Sequence, residues 1–368
     1  MKKIITSIIC GILSLTMIAG CGGTGSGNGG GGGNKVTVSF VQSGATVKEI
    51  TISKGKTISA SDLPVATSTN ANFNFEWAID VTKPILEDKR VETVKYSKGV
   101  KLATYKSGQY KVTGWDETVK PFMPAVTYLP TYYKGGVVTN IESKAFYISH
   151  DQGASYMPSS TLEEVIFPEF LETISPEAFK NCKALKTVKF PSTLKQISSG
   201  AFASCPLEVI EFNEGLESIG TGAFHPRCRR MVIPEGIKIL EAAVFASTYI
   251  REFILPKSLT EVKCGGIWPV DTHPLEKIYY AGDYYDWMDL YDNISEEQTS
   301  AMVNIPGKVD VIAPEDGRER RSSKDAVDWA VIYIYSEEEP EFNYDHEDNK
   351  YWHYGANGEI EEWPDPVE

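Results

Sequence analysis

Apolar and polar residues alternate in short bursts along most of this chain, and from Leu162 the bursts recur as one pattern. Leu-x-x-Val-x-Phe is followed by a break at Pro or Asn, then by Leu-x-x-Ile, then by Ala-Phe. The residue before the break is Phe167, Phe190, Phe212, Ile233 and Leu255, at steps of 23, 22, 21 and 22. The later aliphatic position reads Ile174, Ile197, Ile219, Leu240 and Val262, and Phe179, Phe202, Phe224, Phe245 and Ile267 keep the same steps. Three columns in one register give a period in the twenties, the signature of a solenoid. Each Leu-x-x-Val-x-Phe predicts a short strand with those three side chains inward. Proline then ends the strand because it cannot donate to a ladder. Leu-x-x-Ile predicts a return strand, and Ala-Phe closes the turn. The three inward columns are Leu162, Leu185, Leu207, Cys228, Ile250, Leu275; Val165, Val188, Ile210, Met231, Phe253, Ile278; and Phe167, Phe190, Phe212, Ile233, Leu255, Tyr280. No turn buries such a set alone, so stacking neighbours completes the core. A looser first turn holds Leu129-Pro130, Val138, Ile141 and Ala145-Phe146.

Val36 to Ser97 alternates differently, in the runs "VTVSF", "KEITISKGKTIS", "FNFEWAID" and "VETVKYS". Gly55, Pro64 and Asn-rich turns separate them, which predicts four or five strands of a small β domain.

The N-terminus bears on the compartment. Lys2 and Lys3 precede an apolar run from Ile4 to Ile18, the layout of a secretory signal. That run is short for a spanning helix, which needs roughly 20 residues. Ile18-Ala19-Gly20-Cys21 resembles the lipobox of bacterial lipoproteins, which implies cleavage before Cys21 and a lipid on its sulfur; the alternative is an ordinary signal peptide with a chance cysteine. Gly22 to Gly33 is nearly all Gly with Ser, Asn and Thr, a tether with a typical reach of roughly 20 Å.

The net charge of -14 over 368 residues excludes a basic nucleic-acid footprint. It is unevenly placed: Glu337 to Glu368 holds twelve Asp and Glu against one Lys. Of the histidines His150, His225, His273, His346 and His353, none sits in a zinc-protease spacing, and no phosphate loop or nucleophile elbow occurs. The expectation is a non-enzyme with no cofactor and no metal. Cys182 and Cys205 stack on adjacent turns, so a disulfide is an option beside the reading that they, with Cys228 and Cys264, fill small buried slots. Asp345, Glu347, Asp348 and Asn349 lack the register of a calcium loop and read as a solvated acidic loop. Tyr351, Trp352, Tyr354 and Trp363 read as cover for the open end of the coil, with a sugar-stacking platform as the alternative.

The turns resemble the BspA-type leucine-rich repeats of bacterial surface proteins, with their Leu-x-x-Ile-x-Ile-Pro … Leu-x-x-Ile-Gly-x-x-Ala-Phe-x-x-Cys pattern, over Leu102 to Asp283. "GQYKVTGW" (Gly108–Trp115) is similar to the strands that lead into that family's first repeat, and Asp328–Trp363 to the tail that follows its last. "VNIPGKVDVIAPEDGRERRSSKDA" departs from the pattern. Phe40, Gly55, Leu63-Pro64, Phe75-Glu76-Trp77 and Tyr96 are similar in order to the internalin B-repeat, a β-grasp surface spacer, although its usual Gly-Trp-Tyr is missing. These resemblances imply an α/β, strand-rich chain: a right-handed leucine-rich-repeat solenoid behind a small β-grasp-like module. The expected segments are a signal at 1–20, lipidated Cys21 and tether at 21–35, the module at 36–97, the solenoid at 98–283, a flexible insertion at 284–327 and an acidic aromatic tail or cap at 328–368.

What the resemblance implies for function is non-catalytic recognition or adhesion. The protein is expected to be exported and lipid-anchored to the outer face of a bacterial envelope. Its partner is then a host or bacterial surface protein or glycan, with membrane contact through the lipid alone and no nucleic acid. A spacer without a ligand, or a glycan-binding component of a surface polysaccharide system, remains the alternative. Of the outward strand positions, Val232, Ile254 and Tyr279 fall on successive turns and are apolar, flanked by Arg230, Glu252 and Lys277. An exposed apolar line marks an interaction site, so these six form the expected partner-binding face.

Overall fold

Alternation in the N-terminal module folds as four strands, β1 (Lys35–Gln42), β2 (Ala45–Ser53), β3 (Phe73–Trp77) and β4 (Lys89–Ser97). Their order is β2-β1-β4-β3, with β1 and β4 parallel and both outer pairs antiparallel. Period two along β1 turns Val36, Val38 and Phe40 into a core with Ile58, Trp77, Ile79, Ile85 and Val91. Phe40 meets Trp77 edge to face at 5.2 Å, and the indole N–H donates to the Pro64 carbonyl at 2.7 Å. This computed structural model describes residues 34–119, 121–149, 158–245, 249–263, 266–267, 275–294, 331–337 and 350–363. The signal, Cys21, the tether, Cys264, residues 295–330 and the Asp345–Asn349 loop lie outside the described residues.

Only Lys98-Gly99 separates β4 from a hairpin of β5 (Val100–Lys106) and β6 (Gln109–Trp115). β7 (Val126–Tyr128), β8 (Tyr132–Tyr133) and β9 (Gly136–Ile141) then build the first turn. The module is joined to this turn by specific bonds. Val81 N–H donates to the Gly135 carbonyl at 2.7 Å, Lys134 N–H to the Glu76 carboxylate at 3.3 Å, and Tyr128 N–H to the buried Ser97 hydroxyl at 3.0 Å. Tyr96 of β4 belongs to the repeat core rather than to the module's own.

The turns that follow pair a first strand with a return strand. They are β10 (Glu164–Ile166) and β11 (Thr173–Ile174), β12 (Thr187–Lys189) and β13 (Gln196–Ile197), and β14 (Val209–Glu211) and β15 (Ser218–Ile219). After them come β16 (Arg230–Val232) and β17 (Ile239–Leu240), β18 (Glu252–Leu255) and β19 (Glu261–Val262), and β20 (Lys277–Tyr280). All neighbours are parallel and in the register that the sequence columns require, Val165 beside Val188 beside Ile210 and Ile174 beside Ile197 beside Ile219. One hydrophobic cluster runs the length of the coil. Its spine is a stack of rings, Phe146, Phe179, Phe202, Phe224 and Phe245, with successive centroids 5.0, 5.1, 5.3 and 5.8 Å apart. Two residues before each ring the backbone is left-handed, at Lys144, Glu177, Gly200, Gly222 and Ala243. Glycine takes that conformation without strain.

Both sheets break at one level, between β14 and β16 and between β15 and β17. The cause is local. Asn181 and Ser204, two residues after their rings, are also left-handed, with φ of 68° and 61°. The next equivalent is Pro226, whose ring holds φ near −65°, and this turn is the 21-residue one. The inward residues left half-buried, Ile210, Phe212 and Cys228, all flank this seam. The Phe224–Phe245 stack and the Phe224 N–H bond to the Val244 carbonyl, at 3.0 Å, carry the coil across it.

Beyond β20 the structure departs from the expected boundary at residue 284. Tyr284–Asp292 is an α-helix, α1, rather than the start of an insertion. Asp283 caps it through a reciprocal bond pair with Asp286, and its Trp287 and Leu290 are buried on the core. β21 (Val331–Tyr335) pairs parallel with β20 as a further first strand, and β22 (Lys350–Tyr354) and β23 (Ile360–Glu362) extend the sheet.

Candidate interaction face

Side chains along each first strand point alternately into the coil and away from it. Register places the outward residues in columns. Before the seam, Val126, Glu164, Thr187 and Val209 line up, and Ile166 lies beside Tyr128. After it, Arg230, Glu252 and Lys277 form one column and Val232, Ile254, Tyr279 and Tyr333 the other.

The expected strip is only partly open. Val232 is 53% exposed, but Ile254 is 7% and Tyr279 2% exposed. The correction has a clear cause in distant sequence. β21 brings Tyr333 to stack on Tyr279 at 5.0 Å. The β22–β23 hairpin brings fully buried Trp352 edge-on to Tyr279 at 5.9 Å, and its indole N–H donates to the Tyr280 carbonyl at 3.0 Å. Ile254, Tyr279, Tyr333 and Trp352 make a second small core on the outer side of the sheet.

The flanking charges are likewise occupied. Arg230 pairs with Glu252 at 2.6 Å, and Arg229 with Glu276 at 2.6 Å. The Glu362 carboxylate accepts from Lys277 Nζ and from the Tyr279 hydroxyl. Burial pushes this carboxyl up, but the bonds from Lys277, Tyr279 and Tyr333 hold it below the usual range. Burial pushes the Tyr279 phenol up, and Glu362 adds to the rise. Nothing in the local sequence around Tyr279 pointed to Glu362, which is 83 residues away.

The open part of the face therefore lies nearer the N-terminus. Val126 is 39%, Ile166 38% and Val209 42% exposed, with Val232 the most open. Among them the Lys189–Glu211 pair closes at 2.8 Å, and Lys95 Nζ stands 4.4 Å over the Tyr128 ring. Val126 lies in the loose first turn, outside the aligned columns, and Val209 is the one apolar residue of an outward column that is otherwise polar from Glu164 on.

Two thiols within the coil bond main-chain carbonyls. The Cys205 thiol donates to the Phe179 carbonyl at 2.9 Å and the Cys182 thiol to the Phe146 carbonyl at 3.3 Å, one turn back in each case. Both are free and buried, and burial, then Cys182, drives the Cys205 thiol well above its usual range. Among the described residues no group of three or more His, Cys, Asp and Glu side chains is placed to hold a metal ion. No described helix is long and apolar enough to cross a membrane.

Comparison with known proteins agrees with the repeat geometry. Residues 139–265 match the BspA type leucine rich repeat region in six copies. No curated protein matches the chain significantly. Among solved structures it is similar to a leucine-rich repeat protein from Bacteroides ovatus, at 23% identity and a TM-score of 0.35 over 50% of this chain and 48% of that one. It is similar to a leucine rich repeat protein of T. pallidum at 20% identity and a TM-score of 0.36, over 50% of this chain and 83% of that one. A leucine rich cell surface protein from Faecalibacterium prausnitzii gives 17% identity and a TM-score of 0.39, over 73% of this chain and 60% of that one. The chain thus spans about half the length of the first of these. Its own turns carry the assignment: residues 139–265 are a BspA type leucine rich repeat region.

Proposed function

We propose that this is an exported recognition protein that works without catalysis, its repeats holding a rigid strand face against a macromolecular partner. The observation that carries the reading is the set of apolar side chains on outward strand positions, Val126, Ile166, Val209 and Val232, each at least 38% exposed. Val126, Ile166 and Val209 stand on the sheet before the seam and Val232 on the one after it, each beside polar neighbours, as binding anchors require. The match to a leucine rich repeat region supports the same reading, because solenoids use such curved faces for binding. Substitution by aspartate at Val209 and Val232 together tests it. Adhesion of purified protein to matrix-protein and polysaccharide arrays should fall while circular dichroism stays unchanged. Equal adhesion by the double variant removes this face from consideration.

The anchoring reading belongs with this proposal. Lipid on Cys21 and the glycine tether would hold the body off the envelope surface, and the module would act as a β-grasp-like spacer. The order β2-β1-β4-β3 with a central parallel pair supports that last part. Cys21→Ala should shift the protein from the membrane fraction to the soluble one. A variant still processed and still membrane-bound argues for another anchor.

A further inference from the structure

A cleft of about 520 Å³ opens where the module meets the first turn. It is separate from the strand face. Asn74 of β3 and Tyr96 of β4 line one side, Lys101 of β5 and Thr113 of β6 line another, and the Lys98-Gly99 link and Tyr133 complete it. Ligand sites favour such junctions, because two units supply converging groups that neither has alone.

The polar groups of this cleft are unevenly satisfied. Most lysines on the repeats are paired with carboxylates, among them Lys111, Lys144, Lys180, Lys189 and Lys263. Lys98 and Lys101 have no carboxylate within ion-pair distance among the described residues. The one acid lining the cleft, Asp116, already accepts from the Thr118 N–H at 3.0 Å and the Thr118 hydroxyl at 2.6 Å. Those two bonds, with Lys101 a minor influence, keep Asp116 ionised. Lys98 and Lys101 therefore line the cleft with a single carboxylate, Asp116, that is already bonded to Thr118.

The remaining lining selects the kind of anion. Tyr96 has a buried ring and bonds the Asn74 side chain, and burial, then Glu76, pushes its phenol up to about 12 against the lowering effect of that bond. It therefore remains a hydroxyl at neutral pH, as does Thr113. Asn74 adds an amide, while Val100, Leu102 and Tyr133 supply apolar surface. Cations beside hydroxyl and amide groups, over a partly apolar wall, match a charged carboxylate on a hydroxylated ring. The geometry points to a binding cleft for a sugar acid of the uronate type, with Lys98 and Lys101 holding the carboxylate and Asn74, Tyr96 and Thr113 bonding the ring hydroxyls.

Calorimetric titration of the full chain with glucuronate, and with glucose as the neutral control, tests this. Glucuronate should bind and glucose should not, and added salt should weaken the binding because the contact is ionic. Losing two charge-assisted bonds in Lys98→Gln/Lys101→Gln should weaken binding at least about tenfold. Lys54→Gln, on an exposed module turn, should leave it unchanged. A glucuronate-terminated oligosaccharide distinguishes a free sugar acid from a chain end. Binding of either that depends on both lysines supports the cleft. If the wild-type chain prefers neither glucuronate nor the glucuronate-terminated oligosaccharide over a neutral counterpart, the inference is overturned without recourse to any variant. Binding that survives the double substitution overturns it too. Neither result bears on the strand face, whose test substitutes Val209 and Val232 rather than residues of the cleft.

Discussion

Nδ1 of His225 accepts the backbone N–H of Ser204 at 2.6 Å. One turn earlier the equivalent N–H, that of Asn181, donates to the carbonyl of Ala203 at 2.8 Å. An imidazole thus replaces a main-chain carbonyl in the inter-turn ladder, at the turn where Pro226 displaces the usual left-handed residue.

That bond requires a neutral ring. Burial lowers the basicity of His225, and nearby Lys183 and Lys180 lower it further. The unfolded chain takes up its proton near the ordinary value of about 6.5, the folded chain only at lower pH. The stabilisation is complete above that value and is lost as pH falls through it. Between about pH 7.5 and about pH 5.5 the wild-type Tm should fall more than that of His225→Asn, which keeps an acceptor but does not titrate. Parallel pH profiles for the two proteins would refute this.

Phe202 is fully buried between Phe179 at 5.1 Å and Phe224 at 5.3 Å. Truncation leaves a cavity that two stacked neighbours cannot close. Phe202→Ala should cost about 3–5 kcal/mol in denaturant unfolding. Lys189→Ala removes only an exposed ion pair and should cost about 0–1 kcal/mol. Comparable losses for the two would mean that the ring stack is not the spine of the coil.

Trp352 holds the C-terminal strands over Ile254 and Tyr279. Trp352→Ala should destabilise by about 3–5 kcal/mol if the tail and coil unfold together. Hydrogen exchange should show where: faster exchange in Lys277–Tyr280 and Lys350–Tyr354, with Glu164–Ile166 and Thr187–Lys189 unchanged. Unaltered exchange in β20 would show that the hairpin does not protect the last turns.

Much of this architecture is determined by sequence alone. The steps of 23, 22, 21 and 22 set the register, because each inward Leu, Val or Phe can be buried only by the equivalent residue of the next turn. The seam at the 21-residue turn and Pro226 emerges only in the structure. Period two separates the two sides of a strand, and so Val188 is buried and Lys189 exposed. It does not say what lies on the second side. Ile254 and Tyr279 are apolar and outward, a signature shared by an exposed binding strip and by a surface awaiting cover. Tertiary structure decided between them by returning Tyr333, Trp352 and Glu362 from 54 to 83 positions later in the chain. Local periodicity carries no information about contacts at that separation, whereas burying apolar rings against one another and satisfying one carboxylate with three donors favours the covered state.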